Sequence, residues 1–396
     1  MSLNHGRPLT VMPGPSVIPD RVLAAMSRPM PNIYDGELIE VSMRVLEALP
    51  GLVRTQAEAF VAISNGHGAW EMALTNTLSR GDTVLVAESG RFARGWGDMA
   101  RVSGVRVLTL PGDDRSPVDP AALEERLRAD RNRDITAVLV VQVDTASSVR
   151  NDIGALRRAL DAADHPAMLF VDCIASLGCE PFEMDAWGVD VTVGASQKGL
   201  MVPPGLGFVW AGERAREAHG RADLRTGYWD WTARSQPEVH YRRYCGTPPI
   251  SHLYAMAEAL TMIAEEGLDN VWARHGVLAD AVRAAVNGWA TPGGLELNII
   301  DPAARSNAVT TIRTGSINVD TLHRLCENHA GLTLGVGLSD TNDTFRIGHM
   351  GHLNPPMVLG ALGTIEAALG ALDAPMAGSG TAAAAKVIAA ALRHDV

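Results

Sequence analysis

The 396-residue sequence predicts an α/β protein: a mostly parallel, seven-stranded sheet in a large domain, followed by a smaller α+β domain. Two observations lead there. From about residue 58 to residue 211, short β-branched runs alternate with amphipathic helical patterns, as a parallel sheet with crossover helices requires. Beyond Pro249 the pattern changes to long helical stretches interspersed with shorter strands.

Strands are expected at Ala59 to Ile63, Thr83 to Ala87, Val105 to Leu110, Ala137 to Val143, Ala167 to Asp172, Val189 to Gly194 and Leu206 to Trp210. Helices lie between them. Ile153 to Ala163 reads I-x-x-L-x-x-A-L, an apolar stripe at helical spacing, and it stops before His165-Pro166, as helices do ahead of proline. Gly220 to Pro249 is rich in tryptophan, tyrosine and arginine but lacks a period, and it reads as an irregular excursion. Two strong helix patterns follow, Ser251 to Glu265 and Asp269 to Trp289, then strands near Ala308 to Ile312 and Thr344 to Ile347 and a helix from Pro356 to Ala371. The alanine-rich tail Gly378 to Arg393 is helical by propensity. The expected division is an N-terminal arm (1–20), a large domain (21–255) and a small domain (256–396), with no internal repeat.

Composition limits the function classes. With 46% hydrophobic and 20% charged residues the chain can bury a large core, which excludes disorder. Lys plus Arg minus Asp plus Glu is 34 − 45 = −11, without a basic run longer than a pair, so nucleic acid is not an expected partner. The longest apolar runs, such as Ala137 to Val141, fall far short of the roughly 20 residues of a membrane helix. No apolar signal core follows Asn4-His5-Gly6-Arg7, and a cytoplasmic location is expected. Cys173, Cys179, Cys245 and Cys326 are scattered and read as reduced thiols, not as disulfides or zinc ligands. His349 and His352 lack a third ligand at metal spacing, and Ser147-Ser148 lacks the glycine-flanked elbow of a serine hydrolase.

Three features carry chemistry. Ser64-Asn65-Gly66-His67-Gly68-Ala69-Trp70-Glu71 sits where a strand ends and a helix begins, a place where backbone N–H groups and the helix dipole favour a phosphate. It does not match the dinucleotide fingerprint G-x-G-x-x-G, since Glu71 replaces the third glycine. Asp172 ends the apolar strand Met168-Leu169-Phe170-Val171, at the edge of the sheet where ligands bind in open α/β folds. Lys198 is one of only two lysines, and it lies between apolar segments that disfavour its ammonium and free the amine for Schiff-base chemistry. Lysine, strand-end aspartate and phosphate loop together are the equipment for pyridoxal 5′-phosphate, in which an aspartate partners the pyridinium nitrogen.

The run Phe170-Val171-Asp172-Cys173-Ile174-Ala175-Ser176-Leu177-Gly178, with Ser196-Gln197-Lys198-Gly199 and Pro203-Pro204-Gly205, resembles the class V, fold-type I pyridoxal-phosphate aminotransferases, specifically the alanine–glyoxylate and serine–glyoxylate group. The resemblance extends from Pro13-Gly14-Pro15-Ser16 to Arg346-Ile347-Gly348-His349. It implies that Lys198 bonds the cofactor and moves the substrate proton, and that Asp172 pairs with the ring nitrogen. Gly66, His67 and Gly68 would cradle the phosphate with Gln197. Phe92 would stack on the ring, Thr145 would sit by the ring oxygen, and Ile174 would line the cofactor site. Tyr244 and Thr247 would reach the phosphate of the neighbouring subunit in a homodimer. Arg346 would hold the substrate carboxylate, with Tyr34 and Gly14 beside it.

The implied function is transfer of an amino group from a small amino acid (serine, alanine or aspartate) to glyoxylate or pyruvate. Where many members carry His-Arg-Ser, this chain has Ile33-Tyr34-Asp35-Gly36, which is closer to the pyridoxamine–pyruvate branch, as is Arg346-Ile347-Gly348-His349-Met350-Gly351. A lyase of the cysteine-desulfurase kind would need a nucleophilic cysteine on a loop near Arg346, whereas Cys326 lies in a helical pattern. A non-enzymatic regulator would carry an added DNA-binding module, and no such module fits before residue 13.

Overall fold

A computed structural model describes residues 2–339 and 341–393. The seven expected large-domain strands form one sheet in the order Glu58–Ser64, Gly205–Ala211, Val191–Ala195, Met168–Asp172, Ile135–Val141, Thr83–Ala87 and Arg106–Leu110. Gly205–Ala211 runs antiparallel to both neighbours, and the other pairings are parallel. Successive side chains of the central strands sort into two cores. Leu85, Val138, Val140, Leu169 and Val171 pack on one face, and Val84, Val86, Leu139, Met168 and Phe170 on the other. Helices therefore cover both faces, the arrangement a parallel sheet needs, and Thr83–Ala87 and Met168–Asp172 are buried along their whole length.

One expected strand divides. The run expected through Val143 leaves the sheet after Val141, and Val143–Asp144 pairs antiparallel with Val149–Arg150 instead. The cause is Asp144, whose carboxylate accepts the backbone N–H groups of Phe92 (2.8 Å) and Ala93 (3.2 Å) at the start of helix Arg91–Val102. Segment 220–249, expected to be irregular, carries two short helical pieces, Trp231–Ser235 and His240–Tyr244, and it is pinned. Arg234, buried, donates to the carbonyls of Val61 and Arg243 (2.9 Å each) and to that of Tyr228.

Helix Ile250–Glu266 crosses residue 255 without interruption, and its Leu253, Met256 and Ile263 belong to the large-domain core. Helix Leu268–Trp289 then packs against the C-terminal helices Pro355–Ala371 and Gly380–Leu392 over a separate core. The small sheet has the order Leu9–Val11, Leu332–Val336, Thr344–Gly348, Val309–Arg313 and Glu296–Leu297. Its edge strand comes from the N-terminal arm, with Leu9 to Val11 parallel to Leu332 to Leu334. Three residues are too few for a visible period, and pairing across more than 300 positions leaves no local signal. Beyond that strand the arm crosses to the carboxyl ends of the large sheet. Among the described residues no helix is long and apolar enough to cross a membrane.

Candidate active site

The carboxyl ends of the parallel strands open on a cavity of about 250 Å³. Gly14, Gly66, His67, Phe92, Thr145, Asp172, Ile174, Gln197 and Lys198 all line it, although they span 185 positions of the chain. The sheet is the reason. Asp172 ends a strand of the large sheet, Gly66, His67, Phe92, Thr145, Ile174, Gln197 and Lys198 come after its strands, and parallel strands deliver their following loops to one edge, while Gly14 arrives with the N-terminal arm.

Asp172 is fully enclosed, and burial pushes its carboxyl up to about 7 against the pull of two donors. These are the Ile174 N–H to Oδ1 at 2.6 Å and the Trp70 indole N–H to Oδ2 at 2.8 Å. Lys198 lines the same cavity and is partly buried. Burial lowers its amine to about 8, the positive charge of Arg346 pushes the same way, and Asp172 opposes. Its Nζ donates to the carbonyl of Pro13 in the N-terminal arm. The arm is tied there at further points: Ser16 Oγ donates to the Lys198 carbonyl (2.6 Å) and the Ser16 N–H to the Gln197 carbonyl (3.0 Å). Gly14 has φ +94°, and a Cβ there would lie 2.4 Å from Lys198 Cδ, so only glycine lets the arm pass over the lysine.

Arg346, on strand Thr344–Gly348 of the small sheet, is buried, and burial lowers its guanidinium to about 10. Nε donates to the Val336 carbonyl (2.7 Å) and Nη1 to the Thr145 carbonyl (2.8 Å). Two of its five N–H groups are thus used for aiming, and the remaining three meet no acceptor among the described residues. Thr145 therefore contributes its backbone oxygen as well as its place in the lining.

At the helix Gly66–Thr77 the structure modifies the expected phosphate cradle. Asn65 caps the helix, and its Oδ1 accepts the N–H of His67 (3.0 Å) and of Gly68 (3.4 Å). Of the three residues expected to cradle phosphate, Gly66 alone keeps its N–H without an acceptor among the described residues. An anion seated there would share or take over the two donors that Asn65 holds.

Tyr34, expected beside the substrate, lies elsewhere, and Tyr244 and Thr247, expected to act on the neighbouring subunit, lie outside this chain's own cavity. Tyr244 is buried in the large core of its own chain, its hydroxyl paired with Ser42 Oγ, and burial pushes it up to about 12. Within its own chain the Tyr244 hydroxyl is thus held by Ser42, and its contact with a neighbouring subunit's phosphate stays an expectation. Tyr34 is 72% exposed, its ring edge-on to Tyr241 at 5.9 Å, and it does not line the cavity. Thr247 is exposed and also outside the cavity.

Two residues that sequence reasoning missed belong to the site. Trp70 stands one helical turn after Gly66 and His67, and that spacing was the available signal for its facing Asp172. Asp144 ends an apolar run just as Asp172 does, the same signal read at one position and passed over at the other. Its carboxylate anchors the N–H groups of Phe92, Ala93 and Ala146, and so fixes the loop carrying the ring-stacking candidate and the turn carrying Thr145.

The site fits a phosphorylated, ring-shaped cofactor on its own evidence. Gln197 Oε1 and Ser64 Oγ are buried polar atoms without a partner, at and just behind the cavity wall. The space in front of Gly66 is closed to any side chain, since a Cβ would lie 2.3 Å from Ile174 Cδ1. Among the described residues one amine, that of Lys198, and one buried carboxylate, that of Asp172, complete the lining.

Fold and site together define a transferase of the aminotransferase class. The profile of the family described as Aminotransferase class-V matches residues 51–347, and the chain belongs to that family. It is 40% identical over 395 residues to a serine–glyoxylate aminotransferase of Methylorubrum extorquens, covering 97% of this chain and 96% of that protein. It is 39% identical to an L-aspartate–glyoxylate aminotransferase of Paracoccus denitrificans, covering 94% of each. Among solved structures, pyridoxamine–pyruvate aminotransferase from Mesorhizobium loti superposes with a TM-score of 0.87 at 26% identity, over 98% of this chain and 100% of that one. The chain is an aminotransferase dependent on pyridoxal 5′-phosphate, with the fold-type I architecture expected from the sequence.

Proposed function

We propose that this chain moves an amino group from a small amino acid to glyoxylate, with pyruvate as the alternative acceptor, in two half-reactions at one site. The observation that carries the reading is Arg346. It is a buried guanidinium with open N–H donors, close enough to Lys198 for its charge to oppose the ammonium. Such a site suits a small carboxylate. The full-length similarity to two enzymes named for glyoxylate supports that acceptor.

Pyridoxal phosphate, when bound, supplies the electron sink that lets the substrate α-proton leave. The chain supplies everything else. Lys198 Nζ is the amine to which the cofactor attaches, and once released it accepts the α-proton and returns it. Asp172 would place its carboxylate against the ring nitrogen and keep a proton there. Phe92 and Ile174 would enclose the ring, with Thr145 beside it, while Gly66, His67, Gly68 and Gln197 would take the phosphate. Arg346 fixes the substrate carboxylate with a planar fork, which orients the bond to be broken. Cys326 is buried, its thiol pushed up to about 12 by that burial, so it does not suit the part of a desulfurase nucleophile.

The test is a donor-by-acceptor screen that quantifies the new amino acid and the new oxo acid. Serine, alanine or aspartate with glyoxylate should give the highest kcat/KM. A highest value for pyridoxamine with pyruvate would replace this reading with the alternative.

We also propose that the enzyme works as a homodimer in the cytoplasm. The exposed apolar and aromatic side chains Met30 (67%), Tyr34 (72%) and Tyr228 (40%) lie on the irregular segments around the excursion, the kind of surface a subunit contact buries. Thr247 on the same excursion remains the candidate for a contact with the neighbour's phosphate. The four cysteines are free thiols, as suits a reducing compartment. Mass measured in solution should be twice the chain's 42.1 kDa, and a monomer retaining full activity would exclude the shared site.

A further inference from the structure

We propose that Trp70 is a positioning residue for Asp172: its indole N–H holds one carboxylate oxygen, fixing the side chain and keeping its negative charge available to the cofactor's ring nitrogen. The inference rests on the reading of Asp172 given above and extends it to a residue of the same cavity wall that acts through Asp172.

Three observations support it. The Nε1 to Oδ2 distance is 2.8 Å between two enclosed side chains, with Trp70 only 1% exposed. Burial does not by itself provide an indole N–H with a partner here. The indole nitrogens of Trp96, Trp210, Trp231 and Trp272 are buried without an acceptor, so the bond to Asp172 is a specific arrangement. Finally, the Trp70 ring touches the neighbours that frame the cofactor site. Its centroid lies 4.6 Å from that of His67 and 6.4 Å from that of Phe92, and it is stacked on Trp96 at 5.9 Å. One side chain thus links the phosphate loop, the ring-stacking residue and the acid.

The chemistry follows from charge. An N–H donated to a carboxylate stabilises the anion and disfavours the protonated acid. Asp172 is held in balance by few groups: Ile174 and Trp70 donate to it, Lys198 attracts its charge, and Asp144 repels it, with Cys173 adjacent in the chain and His67 behind the Trp70 ring. If the indole donor is removed, the proton shared between carboxylate and ring nitrogen shifts toward the carboxylate. An unprotonated ring is the weaker electron sink, so kcat should fall with little change in KM.

Trp70→Phe keeps an aromatic ring and removes the N–H. Trp96→Phe is the packing control, since it removes the same indole portion from the neighbouring ring without breaking a hydrogen bond. In the apo chain, the Asp172 carboxyl titration, followed by ¹³C NMR and assigned by its loss in Asp172→Asn, should move upward by about one pH unit in Trp70→Phe, tenfold in the equilibrium. It should stay in place in Trp96→Phe. An unmoved titration in Trp70→Phe, or an equal movement in both variants, overturns the proposal. The same bond can be read without substitution, should Trp70→Phe fail to fold: the Trp70 indole proton of the wild-type apo chain should titrate in step with Asp172, and a resonance indifferent to that step overturns it as well. In the holoenzyme loaded with ¹⁵N-labelled cofactor, the ring nitrogen of Trp70→Phe should move toward the unprotonated position. A ring nitrogen unprotonated even in the wild type would overturn the assignment of Asp172 to the ring, while an upward apo titration would still support the hold of Trp70 on Asp172.

Discussion

Lys198→Ala should lower turnover by on the order of 10⁴-fold, because the variant loses the amine that carries the proton between substrate and cofactor, and such transfer is worth up to about that factor. The fold should survive. The Lys198 backbone is held by Ser16 Oγ (2.6 Å) and by the Met201 N–H (3.1 Å), and neither bond uses the side chain. Borohydride should fix no cofactor to the variant, and an adduct that persists would refute the assignment. The pH dependence carries a second mark of the same residue. Lowering the amine from 10.5 to about 8 multiplies its neutral fraction near pH 7 by roughly 300. Only the neutral amine is a nucleophile, so covalent capture of cofactor by the apo chain should rise with pH and level off above about 8. An ordinary lysine would still be gaining reactivity at pH 10.

Arg346→Lys should weaken every 2-oxo acid and amino-acid substrate by about 1.5–3 kcal/mol, or roughly 10- to 150-fold in kcat/KM. The loss has two parts. A lysine cannot match the two oxygens of a carboxylate with a planar fork. Nor can it reproduce the anchoring by which Nε and Nη1 grip the carbonyls of Val336 and Thr145, so its ammonium would not be aimed. Cofactor binding should be unaffected, which separates this loss from a collapse of the site. Kinetics across several acceptors decide the matter: unchanged constants for all of them would remove Arg346 from the site.

Much of this enzyme was legible in its sequence because its signals are local. The central strands Thr83–Ala87, Met168–Asp172 and Val191–Ala195 are nearly continuous apolar runs, recognisable because they are buried along their whole length, while the edge strand Arg106–Leu110 is not. The reactive pair was legible for a related reason. A carboxylate at the end of an apolar strand and one of two lysines set among apolar segments contradict their surroundings, and Asp172 and Lys198 do line one cavity.

What local signals could not carry was decided by long-range contact. No period marks Leu9–Val11 as the edge of the small sheet, because its partner Leu332–Leu334 lies at the far end of the chain. Nothing in Asn65 says that it already holds two donors expected for phosphate, and nothing near Tyr244 says that Ser42 takes its hydroxyl. Composition made Asp172 a buried acid in need of donors. That Trp70 is one of them depends on how helix Gly66–Thr77 lies across the strand ends, since a hydrogen bond at 2.8 Å is set by the packing of two elements and by no spacing along the chain.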